Sequence, residues 1–181
     1  LASVCLNLDD DHLDWHGDFE KYRAAKGKVY EHTQIACVYN MADKTTEKLV
    51  EAADVIEGAR AIGFTVGAPG LSQVGFVEDI LCDRAFIEER KDNAQELATL
   101  EDIAMIGVIT PHLLANVAAA SALARSFGIP AEAVKLGIRE FRLDRHRIEV
   151  VLEHDEITWI DDSKATNPHA AIASLLSYFN V

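Results

Sequence analysis

The chain has 181 residues, of which 49% are hydrophobic and 26% are charged, a composition typical of a globular protein. Its formal net charge of −13 argues against nonspecific binding to nucleic acid, which requires clustered Lys and Arg. The sequence contains no run of about 18 apolar residues, so it predicts neither a membrane-spanning helix nor a membrane partner. We therefore expect a cytoplasmic protein.

The three cysteines, Cys5, Cys37 and Cys82, are far apart in the sequence, and each has an apolar neighbour. An odd count without a Cys-x-x-Cys pair argues against a disulfide framework and against a thiolate zinc site. We expect all three side chains to be reduced and buried in the core.

Strand-like and helix-like segments alternate along the chain, which predicts an α/β fold with a mostly parallel sheet flanked by helices. Asp18 is the expected N-cap of the first helix. The alternating stretch 74–88 predicts a hairpin that turns around Cys82 and Asp83. The other elements expected in this half are strands at 1–7, 35–39, 55–56 and 61–66 and helices at 18–30 and 43–53.

The clearest helix begins at Thr110 and Pro111, a cap followed by a proline in the first turn, and it ends before Gly128. Pro130 starts another helix, which we expect to end near Phe141.

The charged segment 142–147 is a candidate linker, because a new hairpin, formed by 148–152 and 157–160, and another helix follow it. We therefore expect a central domain over 1–143 and the beginning of a second domain over 144–181. Both ends of the chain interrupt recognisable elements, so we expect an interior piece of a longer protein.

Asp9, Asp10 and Asp11 form an acidic loop between the first strand and the first helix, with His12 beside them. Crowded carboxylates with an imidazole suit a divalent cation, and oxygen-rich sites favour magnesium, calcium or manganese. The spacing is close to that of a calcium-binding loop, but Asp14 stands where that loop requires glycine, so this interpretation fails. The alternative is a solvated acidic loop before the helix cap.

A second candidate site is the turn 161–167, DDSKATN, between the last strand and the last helix. The first free N–H groups of a helix that follows a strand favour an anion, and Lys164 adds positive charge. Asn167 is the expected N-cap, and Pro168 is the expected first helical residue. The alternative is an ordinary capped turn without a ligand.

Three further side chains are candidates for binding. Asn116, one turn after His112 on the clearest helix, has an amide that can read a base edge, and the alternative is a surface residue. Arg147 can bind a phosphate through two hydrogen bonds, and the alternative is a surface charge. Lys26 cannot bind a metal as an ammonium group, so only conversion to an anion would make it a ligand.

The stretch NLDDDHLD over 7–14, followed by YRAAK over 22–26, resembles the central-domain motif of the Mur ligases, ATP-dependent amide-forming enzymes of peptidoglycan synthesis. The resemblance implies a central domain similar to P-loop NTPases, followed by a Rossmann-like C-terminal domain. It also implies two catalytic residues: His12, which would bind Mg²⁺, and Lys26, which would be carbamylated and so carry a carboxylate near the metal.

The turn 161–167 resembles the form of this turn in the Mur ligases that add D-glutamate to UDP-N-acetylmuramoyl-L-alanine. The resemblance implies that Asp162 contacts the ribose of ATP and that Lys164 lies near phosphate as a catalytic residue. It also implies that Thr166 helps to receive D-glutamate.

By the same resemblance, Asn116 would contact adenine, and Arg147 would reach the γ-phosphate across the linker. One departure is Leu113, where the family often has Asn. The sequence also lacks the family's Gly-Lys-Ser/Thr phosphate loop, which we expect upstream of residue 1. We expect most of the D-glutamate pocket beyond residue 181.

The implied reaction transfers the γ-phosphate of ATP to the carboxylate of UDP-N-acetylmuramoyl-L-alanine, and D-glutamate then attacks the acyl phosphate. The alternatives are another Mur ligase, a ligase similar to folylpolyglutamate synthase, or a catalytically silent fragment that binds nucleotide. We expect the full-length enzyme to be monomeric and the isolated chain to be inactive.

Overall fold

The structure, a computed structural model, describes residues 1–166, 168–176 and 178. Asn167, the predicted cap of the last helix, lies outside the described residues. The strands are β1 (Ala2–Cys5), β2 (Ala36–Asn40), β3 (Arg60–Phe64), β4 (Gln73–Val77), β5 (Ile80–Asp83), β6 (Gln95–Thr99), β7 (Glu149–His154) and β8 (Ile157–Asp161). The helices are α1 (Leu13–His16), α2 (Phe19–Gly27), α3 (Lys44–Glu51), α4 (Leu100–Ala104), α5 (Pro111–Ser126), α6 (Ala131–Glu140) and α7 (Pro168–Leu175), with a 3₁₀ turn at Lys28–Tyr30.

Strands β1 to β6 form one sheet in chain order. The first four strands run parallel to one another, and β5 and β6 extend the sheet as antiparallel strands. Parallel neighbours require a connection that returns to the same end of the sheet, and the segments that contain α2 and α3 provide two such connections. The predicted α/β fold with a mostly parallel sheet is confirmed.

The sheet separates two hydrophobic clusters, because successive side chains of a strand point to opposite faces. In β2, Val38 packs in a cluster that includes Ala118 of α5, whereas its neighbour Cys37 packs with Tyr22 and Tyr30 on the other face. Helices therefore cover both faces of the main sheet. This arrangement leaves the ends of the strands, rather than the faces of the sheet, open to ligands.

The hairpin of β4 and β5 turns at Glu78 and Asp79, so the predicted turn at Cys82 and Asp83 is wrong. Glu78 takes a φ of 54°, which a tight turn between directly paired strands requires. Cys82 and Asp83 are instead buried residues of β5.

The strand predicted at 55–56 is also wrong. The N–H of Ile56 donates a hydrogen bond to the carbonyl of Thr33, which lies in the loop before β2 and not in the sheet. Sequence reasoning also missed β6 and α4. The first two residues of β6, Gln95 and Glu96, are exposed and polar, so they give no strand signal.

The predicted helix caps of α2 and α5 are confirmed. The side chain of Asp18 accepts a hydrogen bond from the Lys21 N–H, and Thr110 accepts one from the Leu113 N–H. Gly128 follows the end of α5 with a φ of 81°, a conformation that favours glycine.

Cys5, Cys37 and Cys82 are free thiols in buried positions, as predicted. Burial raises the pKa of each thiol, which keeps it protonated and unreactive at neutral pH. Within the described part of the chain, every helix is too short or too polar to cross a bilayer.

Strands β7 and β8 form a second, two-stranded antiparallel sheet, which confirms the predicted hairpin. Its two-residue turn consists of Asp155 and Glu156, with φ values of 50° and 62°. The segment 141–148 that precedes it is irregular. A domain boundary at residue 143 stays a prediction.

Candidate functional site

A cleft of about 830 Å³ lies where the carboxyl ends of β1 and β2 meet the start of α5 and the hairpin of β7 and β8. The carboxyl ends of parallel strands meet at one edge of a sheet, where ligands of open α/β folds bind. The polar residues that line the cleft are Asn7, Asp9, Asp10, Asp11, Tyr22, Asn40, Asp43, Thr110, His112, Asn116, Arg147, Asp162, Lys164 and Ser174.

Asn40, the last residue of β2, and Asp43, which follows it, fix the acidic loop after β1. The Asn40 side-chain amide donates a hydrogen bond to the carbonyl of Leu6 at 2.9 Å. Asp43 Oδ2 accepts one from the Leu8 N–H at 2.8 Å, while its Oδ1 accepts the Thr45 N–H and so caps α3. The start of the acidic loop is therefore tied to a helix N-terminus. Sequence reasoning placed Asp43 only at the start of a helix and missed this second role.

The acidic loop presents Asp9, Asp10 and Asp11 to the cleft. Asp9 Oδ1 accepts a hydrogen bond from the Asp10 N–H, and Asp11 Oδ1 accepts one from the His12 N–H, both at 2.9 Å. Such bonds orient the carboxylates within the loop. Because carboxylate oxygens are the ligands that Mg²⁺ prefers in proteins, the donor set of the loop fits a hard divalent cation.

His12 and Lys26 both lie against the ring of Tyr22. The ring centroids of His12 and Tyr22 are 6.2 Å apart, and Lys26 Nζ lies 5.4 Å from the Tyr22 centroid. Tyr22 is buried and lines the cleft, whereas His12 and Lys26 are exposed and do not line it. Burial raises the pKa of the Cys5 thiol, and the nearby charge of Lys26 partly opposes this rise. Lys26 is thus close to the end of β1.

Arg147 and Lys164 supply positive charge to the cleft. Both side chains are exposed, and across the residues that the structure describes neither one makes an ion pair or a side-chain hydrogen bond. Two unpaired cations at the edge of a cleft suit an anionic ligand such as a phosphate.

Asp162 is half-buried beside these cations, and both of its carboxylate oxygens accept a hydrogen bond. Oδ1 accepts the Ile148 N–H at 3.2 Å, and Oδ2 accepts the hydroxyl of Ser174. Each carboxylate oxygen has a second lone pair, so Asp162 retains the capacity to accept a hydrogen bond from a ligand hydroxyl.

His146 and Asp161 connect the linker to the turn. His146 Nδ1 and Asp161 Oδ2 are 2.7 Å apart, and this contact, with hydrogen bonds from Ser163, lowers the pKa of Asp161 to about 2. Donor atoms of His146, Glu149 and Asp161 lie within 4.8 Å of one another, a spacing compatible with a metal. Because the backbone N–H of His146 also donates to Glu149, hydrogen bonds between the three residues already account for their proximity.

The start of α5 forms another side of the cleft. His112 and Asn116 are exposed and line the cleft one turn apart. Leu113, which stands where the family often has Asn, is 9% exposed and packs in the core below them. An apolar residue at 113 therefore contributes to packing rather than to the polar lining.

The structure separates the predicted site residues into two groups. The residues that line the cleft are Asn116, Arg147, Asp162 and Lys164. His12 and Lys26 lie beside it at Tyr22, and Thr166 is exposed and does not line it. Sequence reasoning missed the part that Asn40 and Tyr22 play in the cleft.

Comparison with known proteins identifies the family. Residues 2–124 match the Mur ligase middle domain. The chain belongs to the Mur ligase family. This result fits the parallel sheet, the acidic loop after β1 and the cleft at the carboxyl ends of the strands.

Individual Mur ligases are similar over nearly the whole chain. The chain is 56% identical to "UDP-N-acetylmuramoylalanine--D-glutamate ligase" of Leifsonia xyli over 180 residues, which cover 99% of this chain and 35% of that relative. It is 58% identical to the ligase of the same name from Streptomyces avermitilis, covering 99% of this chain and 38% of the relative. The chain thus spans little more than a third of the length of these relatives.

A solved Mur ligase structure shares the fold. MurF from Acinetobacter baumannii superimposes with a TM-score of 0.65 and 17% sequence identity, covering 98% of this chain and 37% of that one. At 17% identity, this comparison supports the fold alone.

Proposed function

We propose that the protein to which this chain belongs is an ATP-dependent ligase that adds D-glutamate to UDP-N-acetylmuramoyl-L-alanine in peptidoglycan synthesis. The observation that carries this proposal is the cleft, in which the acidic loop at Asp9–Asp11 shares one space with Arg147 and Lys164, two cations without an ion pair in the part of the chain that the structure describes. A nucleotide triphosphate with a divalent cation has the charges that match both groups. The names of two relatives that are more than half identical to the chain support the proposed substrates.

The proposed reaction begins with attack of the acceptor carboxylate on the γ-phosphorus of ATP, which forms a P–O bond and releases ADP. The amine of D-glutamate then attacks the carbonyl carbon of this acyl phosphate. An amide bond forms, and the C–O bond to phosphate breaks with release of inorganic phosphate and one proton. Phosphoryl transfer of this kind depends mainly on positioning and on charge neutralisation.

Arg147 and Lys164 would neutralise the charge that develops on the transferred phosphoryl group. Arg147 would reach the γ-phosphate through its planar guanidinium, and Lys164 would approach as a point charge. Their exposure and lack of ion pairs among the described residues support these roles.

Asp162 and Asn116 would bind the nucleoside. Asp162 would accept a hydrogen bond from a ribose hydroxyl, and Asn116 would read the adenine edge from the first turns of α5. Both line the same cleft as Arg147, which supports a single nucleotide position. Thr166, which lies outside the cleft lining, would receive D-glutamate.

His12 and Lys26 would hold Mg²⁺, together with the oxygen donors of the acidic loop. Mg²⁺, when bound, would offset the negative charge of the phosphate oxygens. Lys26 would serve only as a carbamate: its ammonium group would release two protons to solvent and its nitrogen would bond to the carbon of carbon dioxide, so that a carboxylate replaces the positive charge. The contacts of His12 and Lys26 with Tyr22, which itself lines the cleft, support a shared place for them.

The proposal extends to the whole protein. We place the boundary between the central and C-terminal domains at residue 143, and we propose a monomeric cytoplasmic enzyme. The isolated chain would be inactive, because its sequence contains no Gly-Lys-Ser/Thr phosphate loop.

The direct test compares different amino acids as substrates of the full-length protein. ATP, Mg²⁺ and UDP-N-acetylmuramoyl-L-alanine are supplied with D-glutamate, L-glutamate or L-lysine, and phosphate release and product mass are measured. We expect ligation with D-glutamate alone, and a large loss in Lys164→Ala but not in the exposed control Lys91→Ala. Ligation of a different amino acid would reject the proposed substrate.

A further inference from the structure

Arg147 lies between two residues with unusual backbone conformations. His146 has a φ of 68° and Ile148 a φ of 50°. Residues other than glycine rarely adopt a positive φ, and a β-branched residue such as Ile does so at a conformational cost. Such conformations persist only where surrounding contacts hold them, and they are concentrated at functional sites.

Three hydrogen bonds hold these two neighbours of Arg147 against the turn after β8. His146 Nδ1 bonds Asp161 Oδ2 at 2.7 Å, and the His146 carbonyl accepts the Lys164 N–H at 3.1 Å. On the other side, the Ile148 N–H donates to Asp162 Oδ1 at 3.2 Å. The backbone of Arg147 is therefore fixed on both sides, while its guanidinium has no partner among the described residues.

The Asp161 carboxylate is itself oriented. Its Oδ1 accepts hydrogen bonds from the backbone N–H of Ser163 at 2.9 Å and from the Ser163 hydroxyl at 2.7 Å. Only Oδ2 is directed at His146, so the ring of His146 meets a carboxylate that the turn already holds. The Asp161 carboxylate, the negative partner of His146, thus belongs to the same turn as Lys164.

We propose that His146 and Asp161 are positioning residues that hold Arg147 at the edge of the cleft, ready for the terminal phosphate of ATP. This inference rests on the proposed function, because it assumes that Arg147 binds that phosphate. Neither His146 nor Asp161 touches the ligand in this proposal. Their effect is to restrict the segment before ATP arrives, so that less conformational freedom is lost on binding.

The same contacts join two positive charges of the cleft. Because the His146 carbonyl accepts the Lys164 N–H, the backbone positions of Arg147 and Lys164 are linked through a single residue. Loss of the contact between His146 and Asp161 should therefore loosen both cations relative to the acidic loop. The predicted effect is specific to the phosphate end of the nucleotide.

The test compares ATP with ADP as ligands of the full-length protein, by calorimetric titration in the presence of Mg²⁺. We expect Asp161→Ala and His146→Ala each to weaken ATP binding about tenfold and to change ADP binding less than about twofold. Asp161→Asn, which keeps an acceptor oxygen, should recover part of the ATP affinity. His154→Ala is the control, because His154 contacts its exposed neighbour Asp155 at 3.1 Å at the far end of the same hairpin, away from the cleft.

Two further measurements separate positioning from a general loss of structure. In the nucleotide-free protein, Asp161→Ala should speed hydrogen exchange at the amides of Ile148 and Lys164, with little change in the core strand β2. In an Arg147→Ala background, Asp161→Ala should weaken ATP binding much less than it does alone, because most of its effect passes through Arg147 and only the remainder through Lys164.

Each alternative outcome has a distinct meaning. If the full-length protein does not bind ATP, the proposed function itself is wrong. If it binds ATP and Arg147→Ala weakens binding while both Asp161→Ala and His146→Ala do not, the positioning role is wrong and the proposed function stands. Losses that multiply in the double variant, or that affect ATP and ADP equally, would also overturn the positioning role.

Discussion

Asp43 Oδ2 lies 2.8 Å from the backbone nitrogen of Leu8, so the residue that caps α3 also fixes the start of the acidic loop. One carboxylate thereby connects two neighbouring parallel strands at their carboxyl ends. The acidic side of the cleft depends on this connection as much as on the three aspartates that it displays.

The double role of Asp43 predicts different effects for two substitutions. Asp43→Ala removes both the cap and the loop contact, and we expect it to lower the free energy of unfolding by about 1–2 kcal/mol. Asp43→Asn keeps one oxygen, which can cap α3, but its amide nitrogen cannot accept the Leu8 N–H. It should therefore retain most of the stability in urea unfolding while raising the Mg²⁺ concentration that the full-length enzyme needs. Equal Mg²⁺ requirements in Asp43→Asn and the parent protein would show that the contact does not support the metal.

Asp102 predicts a loss of stability in acid. Burial favours its neutral form, but hydrogen bonds from Thr99 and Arg139 and the charge of Lys135 outweigh this effect and lower its pKa to about 2. The stabilisation is present above the ordinary pKa of about 4 and is lost as the pH falls towards 2. Asp102→Asn should reduce the free energy of unfolding at pH 7 by about 2 kcal/mol and flatten its decline between pH 4 and pH 2.

The control for Asp102 is its exposed neighbour, Glu101→Gln, in the same helix turn. It should leave both the stability at neutral pH and its decline in acid nearly unchanged. A decline in Asp102→Asn as steep as in the parent protein would assign the acid sensitivity to another group.

The buried contact between Arg125 Nε and Asp83 Oδ2, at 2.8 Å, predicts a large effect on stability. The side chain of Asp83 is fully buried, so Arg125→Ala would leave its charge without its ionic partner. We expect a loss of about 3 kcal/mol in denaturant unfolding. Arg23→Ala removes an exposed pair with Glu20 and should cost less than about 1 kcal/mol. Similar losses in the two variants would contradict the proposed difference.

The proposed carbamate at Lys26 predicts that the activity of the full-length enzyme depends on carbon dioxide. In the full-length enzyme, Lys26→Ala should reduce turnover on the order of 100-fold, because the proposed carbamate beside Mg²⁺ could not form. Lys26→Arg keeps a positive charge but cannot form the carbamate, so we expect it to be equally impaired. The exposed residue Lys28 supplies the control, Lys28→Ala. Parent activity should fall when bicarbonate is removed, and full activity in Lys26→Arg would exclude carbamylation.

Local signals in the sequence predicted those elements whose ends are set by neighbouring residues. Asp18 and Thr110 cap their helices through side-chain bonds three residues away, a distance that the sequence shows directly. The turn at Glu78 and Asp79 escaped prediction because neither residue is the glycine or asparagine that commonly marks a two-residue hairpin. The position of this turn is determined by the antiparallel pairing of β4 with β5.

The candidate site was predictable in its parts but not in its assembly. The acidic loop and the turn 161–167 are recognisable from their residue types alone. Asp43 and Leu8, by contrast, are 35 residues apart, and only the parallel pairing of β1 and β2 brings them together. The contact between His146 and Asp161 likewise depends on the register of the β7 and β8 hairpin.

The central claim is that the full-length protein activates a carboxylate by phosphorylation before it joins D-glutamate. Transfer of ¹⁸O tests this most directly, with UDP-N-acetylmuramoyl-L-alanine labelled in its carboxylate oxygens and the released phosphate analysed by mass spectrometry. An acyl phosphate intermediate breaks at its C–O bond, so the account predicts one ¹⁸O atom in each inorganic phosphate released with product. Ligation that yields unlabelled phosphate would contradict it.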